Sequence, residues 1–260
     1  MKASITSDGL RPATTELQQL AGDLPARALA DALNHTVNQA RPALRAEMAS
    51  VFASPTPFTL NAVRVLNAKP NSLEAAVWVK DEKDNASKGQ APEDWVAPQV
   101  FGGARVDKKS EMLLRAKGIL PAGKFIVPAA GVRLDAYGNV SRGLMIQILS
   151  GLSAIEGSAG YRANASGKWR SFRKGHAAAF FVMRRGKVPI GIAERRGKTL
   201  KMVLAFVSQP QYRGRLDFHG VVSRVADANL EANLDKSITD ALTGNLPTNF
   251  RRRPQASPLG

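Results

Sequence analysis

The stretch AAAFFVMRRGKVPIGIAERRGKTLKMVLAFV, residues 177–207, decides the fold class. It holds three strand-like runs, Ala177–Arg184, Val188–Arg195 and Thr199–Val207, separated by Gly186-Lys187 and by Arg196-Gly197-Lys198. Short runs rich in β-branched and aromatic residues, broken at glycine-bearing turns, predict antiparallel strands joined as hairpins. A three-stranded meander is therefore expected here. The same region is strongly basic: from Ser158 to Arg215 there are fourteen Lys and Arg residues and one acid, Glu194.

Outward from the meander, helical periodicity takes over. Downstream, Phe218, Val222, Val225, Leu230, Leu234, Ile238 and Leu242 recur at helical spacing and predict a helix from about Asp217 to Leu242, stopped by Gly244. Upstream, Leu29, Leu33, Val37, Leu44, Met48 and Val51 predict another from about Asp23 to Phe52. Asp23 is placed to cap it, Pro25 falls in its first turn, and Pro42 predicts a kink or a split. Ala62–Ala68 and Leu73–Val79 around Lys69-Pro70-Asn71-Ser72 predict a hairpin.

Between the two β regions the signals are weaker. Lys80–Pro98 is polar and predicts a long loop, Asp107–Lys117 a short helix ended by Gly118, and Leu120–Val140 short extended pieces. Asp135-Ala136-Tyr137-Gly138-Asn139 predicts a tight turn, not a calcium loop, because Tyr137 stands where an oxygen ligand is needed. Ser141 then caps a helix to about Ser153. Gly157–Gly175 is basic and rich in Gly, Ser and Ala, and Asn245–Gly260, with Arg251-Arg252-Arg253, predicts a disordered tail.

The expected class is α+β: an antiparallel sheet packed by long N- and C-terminal helices, with an inserted irregular region. The expected division joins residues 1–79 and 176–244 in one domain, inserts 80–175 with its two short helices, and leaves 245–260 as a basic tail.

Composition narrows the function classes. The 260 residues are 44% apolar but only 6% aromatic, enough for an aliphatic core. Cysteine is absent, which removes disulfides and thiolate metal sites. No apolar run approaches membrane-spanning length, and Ala3–Gly9 lacks the apolar segment of a secretory signal. The net charge of +16 points to acidic partners.

Catalytic signals are sparse. Gly197-Lys198-Thr199 resembles the end of a phosphate-binding loop, but Gly191 leaves five intervening residues where four are needed, and a strand follows instead of a helix. His35, His176 and His219 show no metal-ligand spacing. No catalytic residue, cofactor or metal is expected.

The candidate site is electrostatic. Lys168, Arg170, Arg173 and Lys174 precede the meander, and Arg184, Arg185, Lys187, Arg195, Arg196, Lys198 and Lys201 occupy its strand ends and turns. Arg213 and Arg215 follow. Trp169 and Phe172 interleave with the basic loop, a pairing suited to base stacking beside phosphate contacts. Cations also protect strand edges from aggregation, but one acid among fourteen bases exceeds that need.

Residues 176–242 resemble the phage minor tail protein Z family, known from phage lambda and many prophages. The resemblance lies in Ala179-Phe180-Phe181-Val182, the basic Gly186-Lys187 turn, a strand ending Arg195-Arg196-Gly197, and a further strand and long helix ending Ala241-Leu242. The alanine-rich Ala26–Ala49 segment, with Ala30-Asp31-Ala32-Leu33-Asn34, adds to it. Pro98-Gln99-Val100-Phe101-Gly102-Gly103 and Leu134–Asn139 look like segments of phage and prophage virion proteins. The long insertion and arginine-bearing tail depart from the family pattern. The resemblance implies a non-enzymatic virion protein, assembled in the host cytoplasm, that completes the tail and joins it to the head. It implies tail terminator, tail-tube or neck subunits as partners, packaged DNA as a further contact, and a homo-oligomeric ring, with six-fold symmetry normal at that level. The competing expectation is a cytoplasmic nucleic-acid-binding accessory protein.

Overall fold

The computed structural model describes residues 1–6, 22–81, 90–154, 180–196 and 199–247. The chain is α+β and divides into two compact units, residues 1–84 with 215–260 and residues 85–214.

In the first unit α1 spans Leu24–Val51 and runs unbroken through Pro42, with Pro25 in its first turn. Of the expected kink or split at Pro42, the split does not occur. Pro42 lies on the exposed face, where water can hydrate the carbonyl it frees, while Ala40, Leu44 and Met48 on the opposite side are fully buried. Asp23 precedes the helix without a side-chain cap; its backbone oxygen accepts from Arg27 N at 3.1 Å. A single turn, α2 (Pro57–Leu60), is capped by Thr56, whose hydroxyl accepts from Thr59 N at 3.2 Å.

The expected hairpin forms as β2 (Val63–Leu66) and β3 (Glu74–Val79), antiparallel with Val63 opposite Val79. β1 (Lys2–Thr6), for which the sequence carries no distinct signal, pairs with the other edge of β3, giving the order β1-β3-β2. Ala75, Ala76, Val77 and Val79 of the central strand are all fully buried. α6 (Phe218–Leu242) packs along α1, with Leu234, Ile238 and Ala241 against Ala28 and Ala32. The small alanines let the two helices approach closely.

Polar side chains also lie in this helix seam. Ser237 Oγ donates to Asp31 Oδ2 at 2.9 Å, and Asn233 Nδ2 donates to Thr36 Oγ1 at 2.9 Å and Gln39 Oε1 at 3.0 Å. The pairings run in opposite senses along the chain, so the helices are antiparallel. At the last turn Ala241 is buried and Leu242 is 66% exposed, one position off the expected stripe.

In the second unit a four-stranded antiparallel sheet has the order β5-β8-β7-β6, where β5 is Lys124–Pro128, β6 Phe180–Arg185, β7 Val188–Arg196 and β8 Thr199–Ser208. The meander is present as expected, and part of Leu120–Val140 extends it as a fourth strand. One face is covered by α4 (Lys109–Ala116) and α5 (Arg142–Gly151), through Leu114, Ile148 and Leu149 against Ile126, Phe180, Ile192 and Leu204. Ser141 caps α5, its hydroxyl accepting from Leu144 N at 3.2 Å, and Asp135 Oδ1 closes the tight turn before it by accepting from Tyr137 N and Asn139 N, each at 2.9 Å. α3 (Glu93–Phe101) stands where the sequence predicts loop; its Pro98 is buried and interior, a position that propensity alone disfavours. β4 (Gly103–Ala104) pairs with β9 (Gln211–Tyr212).

One buried ion pair ties α4 to the sheet. Arg105 donates through both terminal nitrogens to Glu111, at 2.5 and 2.6 Å, and lies 4.7 Å over the Phe125 ring. The Glu111 carboxylate also accepts from Lys108 N and Ile126 N, both at 2.7 Å. Burial pushes the Glu111 carboxyl up, but Arg105 and these two N–H groups outweigh it and hold the carboxyl below its ordinary range.

The division between units corrects the one expected. The meander belongs with residues 85–214, not with the terminal helices. The cause is strand pairing: β8 hydrogen-bonds β5 from the inserted region, with Ile126 opposite Phe206, so the insertion and the meander share one sheet and one core.

Candidate functional site

The basic residues of the meander stand where strand geometry sends them. β6 and β7 meet in a two-residue turn, with Arg185 opposite Val188 and Gly186-Lys187 between. Gly186 has φ +62 while Lys187 keeps a negative φ, the requirement of a type II′ turn. Arg184, Arg185 and Lys187 are thereby gathered at one end of the sheet, all exposed, and Arg184 Nη1 donates to Lys187 O at 3.0 Å. Pro189 costs no ladder bond with β8, because that ladder begins at Gly191.

The other end carries a second group. Arg196 is the ninth residue of β7 after the turn, about 25 Å away along the extended chain. Here Arg195 lies 5.5 Å over the Phe181 ring, a diagonal cross-strand neighbour, since Phe181 is opposite Ala193. Lys201 is opposite Glu194 and lays its stem along the backbone at Gly131, where an added Cβ would fall 2.6 Å from Lys201 Cε. Lys201, Thr199 and Glu194 share a cleft of about 400 Å³ with Arg133.

The fold therefore makes two basic ends instead of one patch. Arg184, Arg185 and Lys187 stand at one; at the other, Lys201 and Arg133 line the cleft while Arg195 projects from the opposite face of the sheet. All six are exposed, and none forms an ion pair with an acid among the described residues. Arg133 had no distinguishing sequence signal, since it lies in a loop far from the meander and reaches Lys201 only through β5–β8 pairing. Arg213 follows β9 in the same unit, whereas Arg215 belongs to the other, 6.0 Å over the Phe52 ring. Lys168, Trp169, Arg170, Phe172, Arg173, Lys174, His176 and Lys198 lie outside the described residues, as does the side chain of Arg196.

The remaining histidines sit apart in chemistry. His35 Nε2 is 3.4 Å from Asp31 Oδ2 on α1, and His219 packs edge-on against Phe218 with ring centres 5.5 Å apart. Among the described residues no group of three or more His, Cys, Asp or Glu side chains comes together as a metal-ligand set, and no helix is long and apolar enough to cross a membrane. What the meander can do chemically is present fixed positive charge to an anionic surface. The chain matches no protein-family model, no curated protein and no solved structure.

Proposed function

We propose that this chain is a structural protein of a phage particle, acting at the neck or head-proximal end of the tail, where it completes the tail and joins it to the head. The observation that carries the reading is the pair of exposed basic ends on the second unit's sheet, with no acidic partner among the described residues. Exposed cations outside any ion pair among the described residues favour a polyanionic or acidic neighbour over a second copy of the same face. Acidic faces of tail terminator, tail-tube or neck subunits would meet them, and packaged DNA would be a further contact. A ring of identical copies, six in number, is part of the proposal. It assigns no catalytic residue.

Mass spectrometry of purified virions, with heads and tails separated, tests the placement. The protein should be found in particles, and particles assembled without it should fail at head-to-tail joining. Intact, infectious particles lacking the protein overturn the neck assignment. If the chain is absent from particles yet binds duplex DNA with a steep salt dependence, the same basic ends support a nucleic-acid-binding accessory protein instead.

A further inference from the structure

The first unit contains a cavity of about 1170 Å³ between α1 and the β2–β3 turn, independent of the basic meander. Arg27, Asp31 and His35 line it from α1 at i, i+4 and i+8, one face of the helix, and Lys69 and Asn71 line it from the turn. Asn34 ties the two walls together: its Nδ2 donates to Ala68 O at 3.1 Å and its Oδ1 accepts from Ala68 N at 2.7 Å. The cavity is thus held open by a two-point backbone clamp and is preorganised.

Its charged groups are unequally satisfied. Asp31 is 4% exposed, accepts from Ser237 Oγ at 2.9 Å, and has His35 Nε2 3.4 Å away. Arg27 contrasts with it. Its Nε is buried and has no hydrogen-bond acceptor, and its guanidinium forms no ion pair among the described residues, not even with Asp31 one turn away. A buried N–H without an acceptor is costly, and since Nε is closed off from the cavity, it is the two terminal nitrogens, without an acceptor among the described residues, that present N–H groups side by side in the geometry of a two-oxygen acceptor.

We infer that this cavity binds an anionic oxygen group, carboxylate or phosphate, taken end-on by the two Nη of Arg27, with Lys69 and the Asn71 amide as further donors. Asp31 already accepts from Ser237 and forms no ion pair with Arg27, so Arg27 is the cation left to receive the group. The carboxylates of Asp23 and Asp31 at the same cavity oppose a free anion and favour a ligand that reaches Arg27 directly. The fork, not charge alone, sets recognition, so lysine is a poor replacement.

The test is a titration of the full chain, at constant ionic strength balanced with chloride, followed through the arginine Nε–H resonances by NMR. Sodium acetate and inorganic phosphate are the probes. The Arg27 Nε–H signal should shift saturably with at least one of them, and the tighter probe identifies the source. Arg27→Lys should weaken binding by about tenfold or more. Lys124→Gln, on β5 in the second unit, should leave it unchanged. A non-saturating response to both probes, or equal affinity in Arg27→Lys, overturns the inference. The wild-type titration decides the matter even if the variant fails to fold, and it does so whether or not the chain is found in virions.

Discussion

Glu111 shows at the scale of one residue how a charge survives burial. It is fully buried, yet each carboxylate oxygen meets an Arg105 nitrogen and a backbone N–H. Removing the charge leaves Arg105 buried without its counter-ion, so Glu111→Gln should cost about 3–5 kcal/mol, read from denaturant unfolding. The pH dependence follows from the lowered carboxyl. A carboxyl held below its unfolded value contributes stability that is fully present above the ordinary carboxylate range. That contribution is lost as pH falls through the lowered value. Wild type should therefore lose stability more steeply on acidification than Glu111→Gln, and parallel pH profiles would refute the assignment. None of this was legible in the sequence. Lys108 and Glu111 have the spacing of a capping box but not its Ser or Thr, and nothing marks Arg105 as their partner.

At the scale of elements, the long helices and the meander follow from apolar periodicity, but their faces are settled by packing. Leu234 is fully buried where α6 meets α1, and Leu234→Ala should lower stability by about 2–5 kcal/mol in thermal or denaturant unfolding. Periodicity misplaces the last turn of α6 by one position, because an apolar stripe does not tell a small buried Ala241 from a large exposed Leu242. Asn233 and Ser237 were invisible as seam residues, since their burial depends on Thr36, Gln39 and Asp31 about two hundred positions away. In the meander, Gly191 lies where β8 passes close: a Cβ there would come within 2.4 Å of Leu204 O. Gly191→Ala should cost about 1–3 kcal/mol or more, and amide exchange across β7 and β8 should speed up. Unchanged exchange would mean that the strands relax without loss.

At the scale of the whole molecule, the two units have different chain continuity. Residues 85–214 are contiguous and contain their own sheet, helices and core. That fragment alone should unfold cooperatively and give dispersed amide signals. Residues 1–84 alone should not, because α1 loses the face that α6 covers. Charge is also a property at this scale. If the β6–β7 end touches phosphates, replacing Arg184, Arg185 and Lys187 together with Gln should make the salt dependence of duplex binding shallower. The slope of log affinity against log salt should fall by roughly 0.9 for each phosphate no longer neutralised. An unchanged slope would place DNA binding elsewhere on the chain.

By itself the amino-acid order determined the local features: two long helices, a hairpin, a basic meander with its Gly186-Lys187 turn, a Ser141 cap and an α+β class. Those signals lie within a few residues of one another, in periodicity, turn chemistry and capping. Only tertiary structure decided that Lys124–Pro128 joins β8, which moves the meander out of the terminal-helix unit and into the inserted one. It alone separated the basic residues into two ends about 25 Å apart, brought Arg133 to Lys201, and left Arg27 without an acceptor beside a committed Asp31. Such outcomes depend on which distant segments pair and bury each other, and local sequence carries no record of that choice.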